Sequence, residues 1–298
     1  MRGRRELTVG RRTPPTVHGL VILDKPAGFT SHDVVARLRK HFGERRIGHA
    51  GTLDPSATGV LLVGVGNGTR LMRFLETMDK SYTCDIVFGV TTSTLDADGE
   101  VLVTSDVPVP SIDDLRSLVT ANLLGAIEQV PPMVSALKVD GKRLHQLARE
   151  GIEIERAARP VTVHVFDIEP TDDVRVIRAS VTCGSGTYVR SLGADLGDLA
   201  GCGAHIRNLR RTTVGPFALA DSSTLDDPVL HDPITAVRDM QRVTLDAAGI
   251  DNVLFGRPLP SWQGDGPWAI LDEAQQLVAV YEKWKGDLAK PVVVFGGR

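Results

Sequence analysis

The 298-residue sequence predicts an α/β chain: a mixed, largely antiparallel sheet with packed helices, followed by a small β-rich C-terminal module. Three observations carry that expectation. Residues 80–90 alternate, with Tyr82, Cys84, Ile86, Phe88 and Val90 on one side and Ser81, Thr83 and Asp85 on the other, the period of a half-buried strand. Amphipathic helices with recognisable caps lie between such strands. Beyond residue 236 the elements become short, with β-rich runs at Trp268–Leu271, Leu277–Tyr281 and Val292–Phe295.

In chain order, Gly19–Leu23 reads as a short strand ending in the turn Asp24–Gly28. A helix follows, capped by Thr30 or Ser31, with Asp33 in its first turn, Val34, Leu38 and Phe42 on one face and Gly43 as its stop. Arg37, Arg39 and Lys40 on the other face are either a phosphate track or a solvated surface. Val60–Val65 is a buried strand, and Asp98-Gly99 is a hairpin-type turn before Val101–Val103. Ser111 caps a helix with Asp114 at the boxed position and a stripe of Ile112, Leu115, Leu118 and Val119 running up to Gly125. A short helix stops at Gly151. Val161–Ile168 and Val174–Cys183 alternate as two further strands, and the second delivers the glycine-rich turn Gly184–Thr187 into a helix ending near Gly201. Asp221–Pro228 has the composition of a linker, and a helix is expected near Leu245–Ala247.

Composition narrows the function classes. Hydrophobic content of 42% and charged content of 24% are those of an ordinary globular protein, and no run approaches the roughly 18 apolar residues that cross a bilayer. Met1–Arg5 lacks an apolar stretch of signal type, so a cytoplasmic location is expected. Cys84, Cys183 and Cys202 form no Cys-x-x-Cys pair, which points to neither a disulfide framework nor zinc. The turn at Gly184 matches no nucleotide-binding fingerprint, and Asp96–Glu100 lacks the distal acid of a calcium loop, so no cofactor and no metal are expected.

Net charge is −3, but its distribution is uneven. Residues 1–46 hold 11 Lys/Arg against 4 Asp/Glu, and Arg207, Arg210 and Arg211 cluster without an acid, whereas residues 94–128 and 221–251 are acidic. Such polarity offers phosphates one attractive face.

The stretch that organises the chain is Arg46-Ile47-Gly48-His49-Ala50-Gly51-Thr52-Leu53-Asp54-Pro55-Ser56-Ala57-Thr58-Gly59. Its glycines allow close backbone approach, and Pro55 biases Asp54 toward extended geometry, so the carboxylate is aimed. Together with Leu23–Ser31 before it and Lys80-Ser81-Tyr82 after it, this run resembles the TruB family of bacterial tRNA pseudouridine synthases. Gln129–Arg143 and Gly203–Thr212 resemble the family too, although Val134 and His145 stand where its members more often carry aromatic residues.

The resemblance implies a pseudouridine synthase fold over residues 17–220, a basic N-terminal arm over 1–16, a linker over 221–235 and an RNA-binding module similar to PUA domains over 236–298. It implies isomerisation of uridine 55 in the T loop of tRNA, by a monomer that needs neither guide RNA nor membrane. Asp54 is then the essential carboxylate, attacking C1′ or removing a sugar proton. Arg190 is expected within salt-bridge reach, favouring the charged form; its alternative is a phosphate contact. Tyr82 is assigned to stacking on the uracil and to taking the C5 proton, with Tyr188 and Leu209 lining the pocket. His49 is suited to filling the space left by a flipped base, and Lys25 either contacts phosphate or supports the Asp54 loop. The competing readings are a guide-RNA-dependent synthase, a non-catalytic tRNA-folding factor and, third, a glycoside hydrolase, disfavoured because no second carboxylate accompanies Asp54 in a comparable loop.

Overall fold

The computed structural model describes residues 14–135, 152 and 154–295, with the backbone of 138–139 and 142–143. Residues 1–13 of the basic arm, His145 and the helix expected to stop at Gly151 lie outside the described residues.

The chain begins with β1 (Gly19–Lys25), α1 (Ser31–Phe42), β2 (Ile47–Ala50), β3 (Thr58–Val65), α2 (Met72–Glu76) and β4 (Lys80–Phe88). β1 continues through Asp24 and Lys25, which were expected in the turn, because both pair with β3 opposite Val60 and Gly59. α1 is fixed by a complete capping box between Thr30 and Asp33 and ends at Gly43 in left-handed geometry, φ 64°. Then follow β5 (Val90–Thr92), β6 (Val101–Thr104), α3 (Ile112–Asn122), β7 (Gly125–Gln129), β8 (Lys138–Val139), β9 (Lys142–Arg143), β10 (Arg159–Pro170), β11 (Val176–Cys183), α4 (Val189–Leu199) and β12 (Ala204–Val214). The remainder is β13 (Phe217–Ala218), β14 (Leu230–His231), β15 (Gln241–Thr244), α5 (Ala247–Leu254), β16 (Leu259–Pro260), β17 (Trp268–Leu271), β18 (Leu277–Lys283) and β19 (Leu288–Val294).

Among the described residues ten strands form one sheet in the order β14-β1-β3-β12-β4-β11-β10-β7, with β2 on β3 and β13 on β12. Every pairing in it is antiparallel except β12 with β3, which run parallel at Arg210↔Thr58 and Arg211↔Gly59. The mixed, largely antiparallel α/β architecture expected from the pattern is therefore the one observed. Gly59 is obligatory at the parallel seam: its φ is 104°, and a Cβ there would lie 2.1 Å from the Arg211 carbonyl oxygen.

β1 shows how the faces are divided. Leu20 and Ile22 pack with Leu62, Leu71 and Phe217 and, from the C-terminal sheet, with Ala269, Leu271 and Val280. Val21 and Leu23 point the other way, into Val34, Val35 and Leu38 of α1. On the far half of the sheet, α3 and α4 cover Phe88, Ile177 and Ile206. The C-terminal strands form a second sheet, β15-β17-β18-β19-β16, which shares a core with the first. Burying each such aliphatic side chain is worth about 1.5–3 kcal/mol, so the second sheet is anchored rather than tethered. The stretch with linker composition lies along the edge of β1: Ser223 N–H donates to Ile22 O and Asp24 N–H to Ser223 O, both at 2.9 Å. No helix among the described residues is long and apolar enough to cross a membrane.

Candidate active site

Asp54 sits on a short loop between β2 and β3 that is braced from three sides. Leu53 N–H donates to Ser31 Oγ at 3.0 Å, Gly28 N–H donates to Pro55 O at 2.9 Å, and Lys25 Nζ donates to Pro26 O, Phe29 O and Pro55 O at 3.0, 2.7 and 3.1 Å. Lys25 is fully buried, and burial lowers its pKa to about 8, against the pull of Asp54. With no exposed surface it holds the loop; the phosphate contact is not available to it. Part of what looked like loop is strand, since Ile47–Ala50 pairs with Val65–Leu62 and so aims the following turn.

The loop delivers Asp54 to Arg190, in the first turn of α4. Arg190 Nε lies 2.9 Å from Asp54 Oδ2 and Nη2 lies 3.2 Å from Oδ1, a two-point contact that fixes the carboxylate plane. Two further guanidinium hydrogens go to Thr94 O at 2.7 Å and Val134 O at 2.8 Å. Arg190 is 3% exposed, and four of its five N–H groups are committed within the protein. Val134 contributes its carbonyl, and for that purpose a side chain of any kind serves.

A second carboxylate is present, contrary to the sequence reading. Asp96 Oδ2 stands 3.7 Å from Arg190 Nε, carried in by the loop between β5 and β6, where Ala97 N–H donates to Ile206 O at 3.0 Å. It was missed because the two acids are far apart in sequence. The electrostatic balance differs from expectation as well: Arg190 pulls the Asp54 pKa down, but burial, with Asp96 adding to it, raises it overall. The Asp54 side chain is nevertheless 34% exposed and reachable.

What it reaches is a cavity of about 430 Å³ lined by Asp54, Tyr82, Tyr188, Arg190, Leu209 and Arg211, a size typical of small-ligand sites. Leu209 is aimed into it by an irregularity in β12, where pairing with β4 skips between Arg207 and Arg210 and Asn208 takes φ 56°. Asn208 holds that geometry by donating from Nδ2 to Asp85 Oδ2 at 2.8 Å. Tyr188 is the N-cap residue of α4; its N–H donates to Gln129 Oε1 at 2.8 Å, so its backbone is fixed from β7. Burial raises the pKa of both Tyr82 and Tyr188, so both are phenols at neutral pH.

Two cations of the pocket escaped the sequence reading as individual residues. Arg211 is fully buried directly opposite Tyr82 in the β12–β4 register, donating from Nε to Val60 O at 2.7 Å and from Nη2 to Gly51 O at 3.1 Å. It thereby ties β3 to the head of the Asp54 loop, and its charge opposes the burial that raises Tyr82. Lys80 donates to Glu76 O at 2.5 Å and Met78 O at 2.6 Å, and burial lowers its pKa to about 8. Lys80 stands in phase with Tyr82, Cys84 and Ile86, so the alternation of β4 already turns it inward, whereas nothing local marks Arg211 for burial and only the register places it inside.

His49 is outside the cavity lining. It lies on β2 beside His32, with ring centroids 5.7 Å apart, and burial lowers its pKa to about 4, so the ring is neutral at pH 7. The basic cluster of β12 is also not a free patch. Arg210 makes a two-point pair with Asp24 at 2.7 and 3.1 Å, Arg207 lies 3.5 Å from Asp85, and Arg37 of α1 pairs with Asp226. All three cysteines are buried and unbridged.

Comparison with known proteins places this geometry. Residues 39–189 match the model of the TruB family pseudouridylate synthase N-terminal domain, and 190–246 that of the tRNA pseudouridylate synthase B C-terminal domain. The chain is 45% identical over 288 residues to a tRNA pseudouridine synthase B of Mycobacteroides abscessus, covering 93% of this chain and 95% of the relative. It is 43% identical to the protein of that name from Thermobifida fusca, covering 94% and 99%. Among solved structures it resembles a chain of a Cbf5-Nop10-Gar1 complex, with TM-score 0.69 and 26% identity over 90% of this chain and 79% of that one. The chain belongs to the TruB family of pseudouridylate synthases.

Proposed function

We propose that this pseudouridylate synthase acts on uridine 55 in the T loop of tRNA, with Asp54 as the essential carboxylate. The observation that supports the reading best is the seat of Asp54: one-third exposed, held at two points by Arg190, and opening on a cavity that Tyr82 and Leu209 also line. The choice of tRNA follows the relatives, which carry the name tRNA pseudouridine synthase B.

The chemistry asks little else of the protein. The N1–C1′ bond breaks, the uracil turns over, C5 joins C1′, the C5 proton leaves and N1 takes one up; nothing is oxidised or hydrolysed. Asp54 has two routes open to it: attack on C1′ as uracil departs, or removal of a sugar proton. Both need the ionised form, which Arg190 supports against burial. Tyr82 and Leu209 confine the freed uracil between them, and the raised pKa of Tyr82 favours stacking over proton removal. The target nucleotide must leave its stack to enter, and the neutral ring of His49, beside the loop, is available to the strand that is left. Residues 17–220 form the catalytic unit, 221–235 the connection and 236–298 an RNA-binding module, in a cytoplasmic monomer.

A guide-dependent reading draws on the resemblance to Cbf5, but the likeness to the relatives named tRNA pseudouridine synthase B is much closer in sequence. Incubating the purified chain with a bare tRNA transcript and mapping pseudouridine decides the matter. Modification confined to position 55, and absent with Asp54→Asn, is the expected result. Modification elsewhere, or only after a guide RNA is added, would contradict the proposal.

A further inference from the structure

The β18–β19 hairpin carries an arrangement for which the pocket chemistry has no use. Trp262 and Trp268 pack against each other, and Trp262 also against Tyr281, at the C-terminal sheet. Trp284, just past the end of β18, is instead 42% exposed. Lys285 Nζ and Lys290 Nζ stand 5.2 and 6.0 Å from its ring centroid. The neighbouring charges are taken up locally: Glu282 pairs with Arg73 at 3.1 Å and Lys283 with Asp265 at 3.0 Å. Lys285 and Lys290 are left without an ion pair among the described residues.

The hairpin is also continuous with the pocket rim. Arg73, the partner of Glu282, is on α2, whose last residue, Glu76, lines the cavity. The Arg73–Glu282 pair therefore ties the hairpin to the short helix that ends at the cavity. An exposed indole flanked by two unpaired ammonium groups matches one ligand chemistry well: a nucleobase for the ring and its flanking phosphates for the lysines. Around the ring Lys283, Lys285, Gly286 and Asp287 are exposed and polar or small, and Leu288, 38% exposed, adds an aliphatic edge; the two ammonium groups beside the indole favour a nucleobase with its phosphates over a protein surface.

We propose that Trp284, Lys285 and Lys290 form a stacking site for an unpaired nucleobase of the RNA substrate, separate from the reaction pocket. The proposal rests on the reading of the chain as a tRNA-modifying enzyme, so binding and turnover are measured separately. The full chain is titrated with a tRNA transcript at several salt concentrations, alongside Trp284→Ala, Trp284→Phe and the double variant Lys285→Ala/Lys290→Ala. Trp284→Ala is expected to weaken tRNA binding about tenfold, and Trp284→Phe to restore most of that loss. The double lysine variant should flatten the dependence of log affinity on log salt by roughly 1.5. Pseudouridine formation at saturating tRNA should be unchanged in all three. Unaltered tRNA affinity in Trp284→Ala, or a Trp284→Phe variant as weak as the alanine one, would overturn the stacking site. Absence of turnover in the unsubstituted chain would instead overturn the functional reading, whatever the affinities.

Discussion

In and beneath the pocket, Lys25, Lys80, Arg190 and Arg211 are at most 6% exposed and direct their donors to carbonyl oxygens and, for Arg190, to the Asp54 carboxylate as well. At the β18–β19 hairpin, Lys285 and Lys290 stand in solvent around an exposed Trp284. The difference teaches that cations of one sequence divide into those that shape a site and those that meet a ligand, and that burial makes the division. A tally of charge along the chain puts Arg207, Arg210 and Arg211 in one basic cluster. In the fold, two of them neutralise Asp85 and Asp24 and the third sits beneath the Asp54 loop.

The sharpest way to break this contrast is to remove the groups that the buried cations serve or the cations themselves. Asp54→Asn keeps the shape and loses the charge; isomerisation in single turnover should fall by at least about a thousandfold, with tRNA affinity retained. Arg190→Met leaves Asp54, Asp96 and two carbonyls facing an apolar side chain. Breaking a buried pair costs roughly 3–5 kcal/mol, and the partial exposure of Asp54 places this variant toward the lower end. Chemical denaturation should register that loss, and turnover should fall with it.

A smaller effect is expected at Lys25. Lys25→Met removes three hydrogen bonds to carbonyls and should lower stability by about 2–3 kcal/mol. Its pH signature is specific. The folded chain releases this proton near pH 8 and the unfolded chain near 10.5, so across that window the unfolded state binds more protons and Lys25 makes stability rise with pH. Comparing denaturation of the two proteins from pH 7 to 10.5 should show that contribution vanish in Lys25→Met. The smallest effect belongs to the surface: Thr30→Ala removes the capping box of α1 and should lower stability by about 1 kcal/mol.

Much of this molecule is legible in its residues because local rules and the fold agree. The α1 cap and stop, the alternation of β4 and the buried run of β3 each follow from spacing alone. β12 was not legible: three arginines and an asparagine interrupt its pattern, and it becomes a central strand only because those arginines find Asp85, Asp24 and the Val60 carbonyl across the sheet. β2 was hidden by its length and its glycine. Asp54, Tyr82 and Arg190 could be singled out by their motifs, and Lys80 by its place in the alternation beside Tyr82, whereas Asp96 and Arg211 join the site through pairings between distant segments, which no window of sequence contains.

The central claim is that an ionised Asp54, clamped by Arg190, performs the chemistry rather than the binding. Tritium at uridine C5 of a tRNA transcript is released to water when the C5 proton leaves after C5 has joined C1′, so single-turnover release followed from pH 4 to 8 reports completed isomerisation. Burial raises the Asp54 pKa, so the acid limb should lie at higher pH than an unperturbed aspartate would give. Asp54→Asn should bind the transcript and release nothing at any pH. Release from that variant, or a rate in the unsubstituted chain that does not fall with acid, would contradict the account.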